Sequence, residues 1–328
     1  MYDNCSPKKD ADTFLAVAEL RNAPMSRNRT VGLFVLVTLL FGTAFPAVKT
    51  GLSFIPPLLF AASRSYVAAA LLLLYVGATT EYWYPRSRQD VTAVLAGGLF
   101  LVGGTGIGFV AQQFITASVA AVMFSLAPII TAVLAWPLLP AERLAGRDYA
   151  GVVLGFAGIA VVIRPDPASL LDPELVGKVL FFVGLTIVEL GAVLIRRSQP
   201  SMPVPALTGW AMLLGGTVHV IFALFVGESL ANVQLTPLAV GIVLYLSVFI
   251  GAFGLVLYLV LMGEVGPLKA NLTTYLTPLV AIAIGWLLLG ERIHPLTIVG
   301  FGIIVAGFAL LESREISAEV VKYRTLFR

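Results

Sequence analysis

Charged residues and cysteine are scarce in this chain of 328 residues. Asp, Glu, Lys and Arg make up 12% of it, against about a quarter in globular domains. The single cysteine, Cys5, lies in a polar N-terminal segment, which excludes a disulfide framework and a cysteine-based metal site. Apolar residues are abundant: 59% of the chain is hydrophobic, and the mean hydropathy is +0.95. The composition therefore predicts an integral membrane protein.

Groups able to catalyse a reaction or to hold a cofactor are scarce as well. The chain has two histidines, and its apolar segments contain neither paired carboxylates nor a histidine cluster. A glycine-rich run from Gly97 to Gly108 lacks the Lys-Ser/Thr pair of a phosphate-binding loop and follows no strand. The net charge of +3 does not indicate nucleic-acid binding, because the placement of Lys and Arg matters more than their sum in a membrane protein. We expect no enzymatic activity, no cofactor, no metal site and no nucleic-acid partner.

One motif occurs twice in the chain. The first copy reads Leu126-x-Pro128-x7-Trp136-x-Leu138-Leu139-x2-Glu142-Arg143, and the second reads Leu276-x-Pro278-x7-Trp286-x-Leu288-Leu289-Gly290-Glu291-Arg292. Gly151-x5-Ala157-Gly158 follows the first copy, and Gly300-x5-Ala306-Gly307 follows the second. The offset is 150 residues up to the paired leucines and 149 from Glu291 onward. Since the chain has only four tryptophans, the match predicts an internal duplication.

Ten apolar segments are long enough to cross a bilayer core of about 30 Å as helices. They lie near residues 31–50, 57–78, 90–114, 117–139, 147–164, 176–196, 205–226, 238–262, 267–289 and 295–312. The junctions at 114–117 and 262–267 are short, so a count of eight is an alternative. We predict an all-α integral membrane protein with a polar cytosolic tail (1–30), two five-helix repeats (31–164 and 165–312) and a cytosolic C-terminal tail (313–328).

Basic residues predict the orientation of the chain. With the N-terminus in the cytosol, sixteen of the 21 Lys and Arg residues fall on the cytosolic side and four on the opposite side, as the positive-inside rule requires. Each repeat then contains an odd number of helices, so the second copy is inverted relative to the first. The loops that carry Glu142 and Glu291 therefore lie on opposite faces of the membrane. Inverted repeats are typical of secondary transporters.

Several motifs resemble those of the EamA family of the drug/metabolite transporter superfamily. The segment Phe41-Gly42-Thr43-Ala44-Phe45-Pro46-Ala47-Val48-Lys49 is similar to the family signature of the first helix, and Pro57 with Arg64 is similar to that of the second. The duplicated Pro128 and Pro278 motifs with their Glu-Arg pairs resemble the most diagnostic element of each family repeat. The resemblance covers residues 31–312 and implies ten helices, cytosolic termini and solute transport, without naming a substrate. Glu189-Leu190-Gly191 departs from the family pattern, in which an aromatic residue is common.

Ionisable residues inside predicted helices are candidates for transport, because a charge in the bilayer is costly. Glu189 lies near the middle of the sixth helix and is a candidate proton or substrate site. The alternative is a structural, hydrogen-bonded carboxyl. Arg64 is a candidate for binding an anionic group or pairing with Glu189, or else its side chain reaches the nearer interface. His219 is a candidate for proton coupling, or else a buried neutral histidine bonded to a backbone carbonyl.

Further residues are candidates for the pathway and its gates. Gln112, Gln113, Asn271, Tyr275 and Trp210 are pathway candidates, with helix packing as the alternative. Pro46, Pro128 and Pro278 interrupt helical hydrogen bonding, which allows a kink that exposes polar backbone. We interpret Pro128 and Pro278 as a paired hinge or gate, with simple packing kinks as the alternative.

These patterns predict a secondary transporter of the plasma membrane with both termini in the cytoplasm. It would move a small organic solute, such as a metabolite, an amino acid or a drug-like compound, by alternating access with possible proton coupling. An uncoupled facilitator or channel and a lipid-precursor flippase are the alternatives. The expected partners are the solute and the lipid bilayer, and the expected state is a monomer or a homodimer.

Overall fold

The computed structural model describes residues 27–139, 142, 144, 146–164 and 170–313. In this part of the chain nine helices are long and apolar enough to cross a membrane, and Pro295–Leu311 is a tenth, shorter apolar helix. The prediction of an all-α membrane protein with ten rather than eight helices is confirmed. Most of both predicted polar tails, including Cys5, lies outside the described residues.

We number the helices as spans 1 to 10 in chain order, and each begins and ends within four residues of its predicted position. The spans are Arg27–Gly51, Pro57–Thr79, Arg88–Ala111, Ala117–Leu138, Gly146–Ile163, Pro173–Ser198, Val204–Phe225, Pro237–Val265, Pro267–Leu289 and Pro295–Leu311. Five of them begin with proline. Proline is favoured there because the first turn leaves its backbone nitrogens unpaired and the proline φ is already helical.

Three spans are not regular α-helices throughout. Span 3 contains a π-helical segment, Gly97–Val102, and span 8 contains another, Tyr245–Gly254, close to the equivalent position in the second repeat. Span 4 is broken between Phe124 and Ala127. Pro128 explains the break, because it has no N–H to donate to the carbonyl of Phe124.

Spans 5 and 10 demonstrate the inversion. A Cβ at Gly158 would lie 2.8 Å from the carbonyl oxygen of Gly300, and a Cβ at Gly300 would lie 2.8 Å from that of Gly158. Gly151 and Gly307 approach each other in the same reciprocal way, at 2.6 and 2.7 Å. Gly300 is the repeat counterpart of Gly151, and Gly307 is that of Gly158. Gly158 thus contacts the counterpart of Gly151, and Gly151 contacts the counterpart of Gly158, which is the pattern of a twofold axis. The two five-helix repeats are therefore inverted.

The other spans pack according to the same symmetry. Span 2 packs on its counterpart, span 7, and the pairing of spans 1 and 9 matches that of spans 4 and 6. A fully buried cluster at spans 4 and 10 contains Met123, Leu126, Ile129 and Ile304. We call the membrane face at which span 1 ends the Glu291 face, and the opposite one the Glu142 face, after the glutamates of their loops. The predicted orientation places the Glu142 face in the cytosol.

Candidate functional site

A carboxyl group from one repeat meets a hydroxyl group from the other near the middle of the bundle. Thr131 Oγ1 on span 4 donates a hydrogen bond of 2.5 Å to Glu189 Oε2 on span 6. Glu189 lies about 5 Å beyond the midpoint of span 6, and Thr131 lies equally far beyond the midpoint of span 4. The Glu189 side chain is partly exposed. The pair therefore combines a deeply placed acid with a contact between the repeats.

The break in span 4 positions Thr131. The helix restarts at Ala127, and the Thr131 hydroxyl also bonds the Ala127 carbonyl at 3.0 Å. Thr131 was not predicted, because threonine in an apolar helix commonly bonds the carbonyl one turn earlier and leaves no sequence signal of a second partner. The second partner is visible only once spans 4 and 6 are packed together.

Arg64 contacts an aromatic ring rather than Glu189. Its guanidinium carbon lies 5.5 Å from the centre of the Phe109 ring, and the ion pairs of the described residues include none with Glu189. Ser247 donates a 3.0 Å hydrogen bond to the backbone carbonyl of Arg64. Arg64 therefore lies where spans 2, 3 and 8 meet.

His219 is buried against span 3. Its Nε2 donates to the Gly103 carbonyl at 3.2 Å, and a Cβ at Gly106 would lie 2.6 Å from its ring. Nδ1 has no partner among the described residues. This environment resembles the alternative given above, a buried neutral histidine bonded to a backbone carbonyl.

The pathway candidates lie in different places. Gln112 is buried and Gln113 is exposed, where it lines a cavity of about 390 Å³ at the Glu291 face. Tyr275 is buried against Phe308 of span 10, with ring centres 4.4 Å apart. Trp210 stacks on Trp83 and donates to its carbonyl at 2.9 Å, at the Glu142 face. Asn271 lies in span 9, and its side chain is outside the described residues.

The three proline candidates differ in their effect. Pro128 coincides with the break in span 4, whereas Pro46 and Pro278 lie inside helices that continue past them. The two members of the predicted gate pair thus have different local structures. Near Pro46, the Thr43 hydroxyl bonds Tyr245 of span 8 at 2.5 Å.

Three carboxylates bind the backbone of the other repeat at or just before the start of a span. Glu291 accepts from the backbone of Ala117 and Ser118 at the start of span 4, at 2.7 and 3.0 Å. Glu228 accepts from Leu58 and Leu59 at the start of span 2, at 3.1 and 3.0 Å. A carboxylate is favoured there, because the first N–H groups of a helix are unpaired and its dipole is positive.

The third of these carboxylates is Asp90 at the Glu142 face. It is fully buried and accepts from the backbone of Ser201 and Met202, just before span 7, at 2.9 and 3.1 Å. It also accepts from the backbone of Ser87 and from the hydroxyl of Tyr82. The hydrogen bond to Asp90 raises the pKa of Tyr82 above its ordinary value.

Two more charged residues act at the helix ends. Lys49, at the end of span 1, donates to the carbonyls of Gln112 and Ile115 at 2.7 and 2.8 Å. Glu142 pairs with Arg196 at the end of span 6. Glu142 and Glu291 belong to the duplicated motif, so the sequence contained a signal for both, but it did not indicate which backbone or side chain each would bind.

Comparisons with known proteins agree with this architecture. A model of the EamA-like transporter family matches residues 28–164 and 175–313, once in each half of the chain. YedA of Escherichia coli (strain K12), an uncharacterized inner membrane transporter, is 28% identical over 284 residues, which cover 85% of this chain and 89% of YedA. YvbV of Bacillus subtilis (strain 168), an uncharacterized transporter, is 25% identical over 298 residues, which cover 88% of this chain and 93% of YvbV.

A solved crystal structure has the same fold. It superposes with a TM-score of 0.58 at 18% identity and covers 87% of this chain and 98% of its own. At that identity the likeness supports the fold alone.

Proposed function

The chain belongs to the EamA-like transporter family, and we propose that it is a proton-coupled secondary carrier that moves a small organic solute by alternating access. Its multi-pass membrane architecture and its transporter relatives make it a membrane transporter. The solute class, the coupling to protons, the absence of enzymatic activity and cytoplasmic termini are parts of the proposal.

The hydrogen bond between Thr131 and Glu189 is the observation that carries this proposal. A carboxyl group near mid-membrane is costly in its charged form, so it favours either a proton or a cationic partner. Because Thr131 and Glu189 belong to different repeats, movement of one repeat against the other changes what the carboxyl contacts. The binding of a proton or a cationic partner to such a carboxyl group can therefore be coupled to the conformation of the carrier.

Inverted repeats support alternating access. Two similar halves related by an axis in the membrane plane can exchange conformations, which converts a state open to one face into a state open to the other. The reciprocal glycine contacts of spans 5 and 10 lie on either side of this axis and supply a close-packed contact about which the halves can move.

A ligand screen followed by transport in liposomes tests the proposal. Purified protein is screened by thermal shift against amines, amino acids, other metabolites and drug-like compounds, because a ligand that binds the folded state raises its apparent stability. Uptake of a compound identified in this way is then measured in proteoliposomes with and without an imposed pH gradient. Gradient-driven accumulation together with exchange of labelled for unlabelled solute supports the carrier.

Other outcomes identify the alternatives. Flux that only equalises the two concentrations, at a rate unaffected by solute on the opposite side, indicates a channel. Movement of a lipid-linked compound between leaflets without uptake of soluble compounds indicates a flippase. Either result contradicts the proposed carrier.

A further inference from the structure

We propose that Glu291 and Glu142 are the two gate residues of this transporter, and that their unequal hydrogen-bond donors keep the resting protein closed at the Glu291 face. The inference rests on alternating access as the proposed function. It assigns roles to four residues outside the Glu189 site: the two glutamates, Ser118 and Lys49.

The Glu291 carboxylate has a complete set of donors on span 4. It accepts from the backbone N–H of Ala117 at 2.7 Å, and from the N–H and the hydroxyl of Ser118 at 3.0 and 2.6 Å. A Cβ at Gly285 would lie 2.6 Å from this carboxylate and 2.7 Å from the Ser118 hydroxyl, so a larger residue there would have to displace these side-chain ends. Gly290, with φ of +65°, turns the chain after span 9 and allows Glu291 to reach back.

Lys49 strengthens the same closure. Its ammonium binds the carbonyls of Gln112, Gln113 and Ile115 in the turn between spans 3 and 4, at 2.7, 3.3 and 2.8 Å. Its charge also interacts favourably with that of Glu291. The end of span 1, the turn between spans 3 and 4, and the loop after span 9 are therefore tied together at the Glu291 face.

The counterpart of this contact at the Glu142 face has fewer donors. Spans 4 and 9 begin in register, with N-caps Thr116 and Gly266 separated by the repeat offset of 150. In the second repeat, Pro267 therefore occupies the position equivalent to Ala117, and Leu268 the position equivalent to Ser118. Proline has no N–H, and leucine has no hydroxyl. Of the three donors that Glu291 uses, only the N–H of residue 268 is retained for Glu142.

In this structure Glu142 pairs with Arg196 at the end of span 6. The packing of the spans shows the same difference between the faces. The first half of span 4 packs against span 1, whereas the counterpart spans, 9 and 6, make at most marginal contact within the described residues. Packing and hydrogen bonds join spans 1 and 4 to the Glu291 loop, whereas the Glu142 side chain at the other face makes an exposed ion pair with Arg196.

The other two carboxylates at helix starts do not distinguish the faces. Glu228 binds span 2 at the Glu291 face, and Asp90 binds the approach to span 7 at the Glu142 face. Both contacts are present in the same conformation. Glu228 joins the loop after span 7 to the start of span 2, and Asp90 joins the start of span 3 to the approach to span 7, so each face has one such contact. This restricts the gating role to Glu291 and Glu142.

Distances between spin labels on the two faces test this inference. The single native cysteine allows a Cys5→Ser background. One cysteine pair, at positions 113 and 292, spans the Glu291 face, and another, at positions 197 and 263, spans the Glu142 face. All four residues are exposed, and a Cβ at Gly263 meets nothing within 4 Å. Double electron–electron resonance in nanodiscs then gives the distance distribution of each pair.

We expect a short distance for the 113–292 pair and a longer, broader one for the 197–263 pair in the ligand-free protein. Ser118→Ala and Glu291→Gln each weaken the Glu291 contact, and each shifts the ratio of the two populations by about tenfold towards opening of that face. Leu268→Ser restores the missing hydroxyl for Glu142 and shifts the ratio in the same direction. Glu228→Gln, a carboxylate on the same face with a static role, leaves both distributions unchanged.

Unchanged distances in both Ser118→Ala and Leu268→Ser, in protein that is folded by size exclusion and thermal melting, would overturn the inference. A resting wild type with a long 113–292 distance and a short 197–263 distance would overturn it as well. So would an equal shift in Glu228→Gln, which would show that any helix-start carboxylate has the same effect. The distances require no substrate. Normal gradient-driven uptake with unmoved distances therefore refutes the gate alone, whereas responsive distances without such uptake refute the proposed carrier.

Discussion

Thr131 donates a hydrogen bond to Glu189 across the interface between spans 4 and 6, so a residue of the first repeat orients the carboxyl group of the second. The Thr131 hydroxyl has one proton to donate, and its second contact, with the Ala127 carbonyl, lies at a longer distance. The hydroxyl can therefore donate its hydrogen bond either to the Ala127 carbonyl of its own helix or to the Glu189 carboxylate. A carrier in which the two repeats move against each other would make and break this bond in each cycle.

Thr131→Val should slow transport, because valine keeps the shape of threonine but offers Glu189 no donor. We expect the initial rate of uptake into proteoliposomes to fall by about tenfold, the equivalent of one hydrogen bond to a charged acceptor. Thr131→Ser retains the hydroxyl and should keep most of the rate. Equal rates in wild type and Thr131→Val would show that the hydrogen bond has no part in transport.

Gly158→Ala should destabilise the protein. The new methyl group would lie 2.8 Å from the backbone oxygen of Gly300 on span 10, and backbone cannot move aside as a flexible side chain can. Overpacking of this kind costs about 1–3 kcal/mol, which should lower the melting temperature in detergent. Gly302→Ala on span 10 is the matched control, because its Cβ meets nothing within 4 Å. A loss of stability in both variants, or in neither, would contradict the close crossing of spans 5 and 10.

Asp90→Asn should also lower the melting temperature, by several degrees. The asparagine amide retains one acceptor oxygen and cannot satisfy the donors that Asp90 now serves on both sides, among them Ser201, Met202, Ser87 and Tyr82. Asp172→Asn is the control, since Asp172 precedes span 6 without a side-chain capping bond.

The effect of Asp90→Asn should depend on pH through Tyr82. Because Asp90 raises the pKa of Tyr82, this bond contributes its full stability below the ordinary tyrosine pKa of about 10. The contribution is lost as the pH rises through the raised value. The difference in melting temperature between wild type and Asp90→Asn should therefore narrow in strongly alkaline buffer. A difference in melting temperature that grows with pH would show that the hydrogen bond between Tyr82 and Asp90 does not contribute stability in this way.

The native Cys5 provides a test of orientation. With the N-terminus in the cytosol, Cys5 should resist a membrane-impermeant maleimide in intact cells and react after permeabilisation. A cysteine at the exposed Arg292 position, in a Cys5→Ser background, should react in intact cells. Labelling of Cys5 in intact cells would reverse the assignment of the two faces.

The helices and their inversion could be predicted from the sequence, because they depend on local properties of the chain. An apolar segment long enough to cross a membrane is recognisable without knowledge of its neighbours. Span 9, Pro267–Leu289, begins and ends at the predicted residues. The inversion followed from an odd number of helices between two copies of one motif, and the contact between Gly158 and Gly300 shows it directly.

The contacts made by the motifs could not be predicted in the same way. Glu142 and Glu291 are equivalent in the sequence, yet one binds Arg196 and the other binds the start of span 4, 173 to 174 residues away. Pro128 and Pro278 are equivalent too, yet one lies at a break and the other inside a continuous helix. These differences arise because two inverted copies in one conformation do not have identical surroundings.

The most direct test of proton coupling through Glu189 is the effect of Glu189→Gln on gradient-driven uptake of a solute identified by thermal shift. Glutamine fills the same space and can still accept the hydrogen bond from Thr131, but it cannot take up or release a proton. We predict that this variant loses accumulation against a concentration gradient while it retains exchange of labelled for unlabelled solute, and that Glu228→Gln retains both. Accumulation by Glu189→Gln at the wild-type level and with the wild-type dependence on the pH gradient would show that Glu189 does not couple transport to protons.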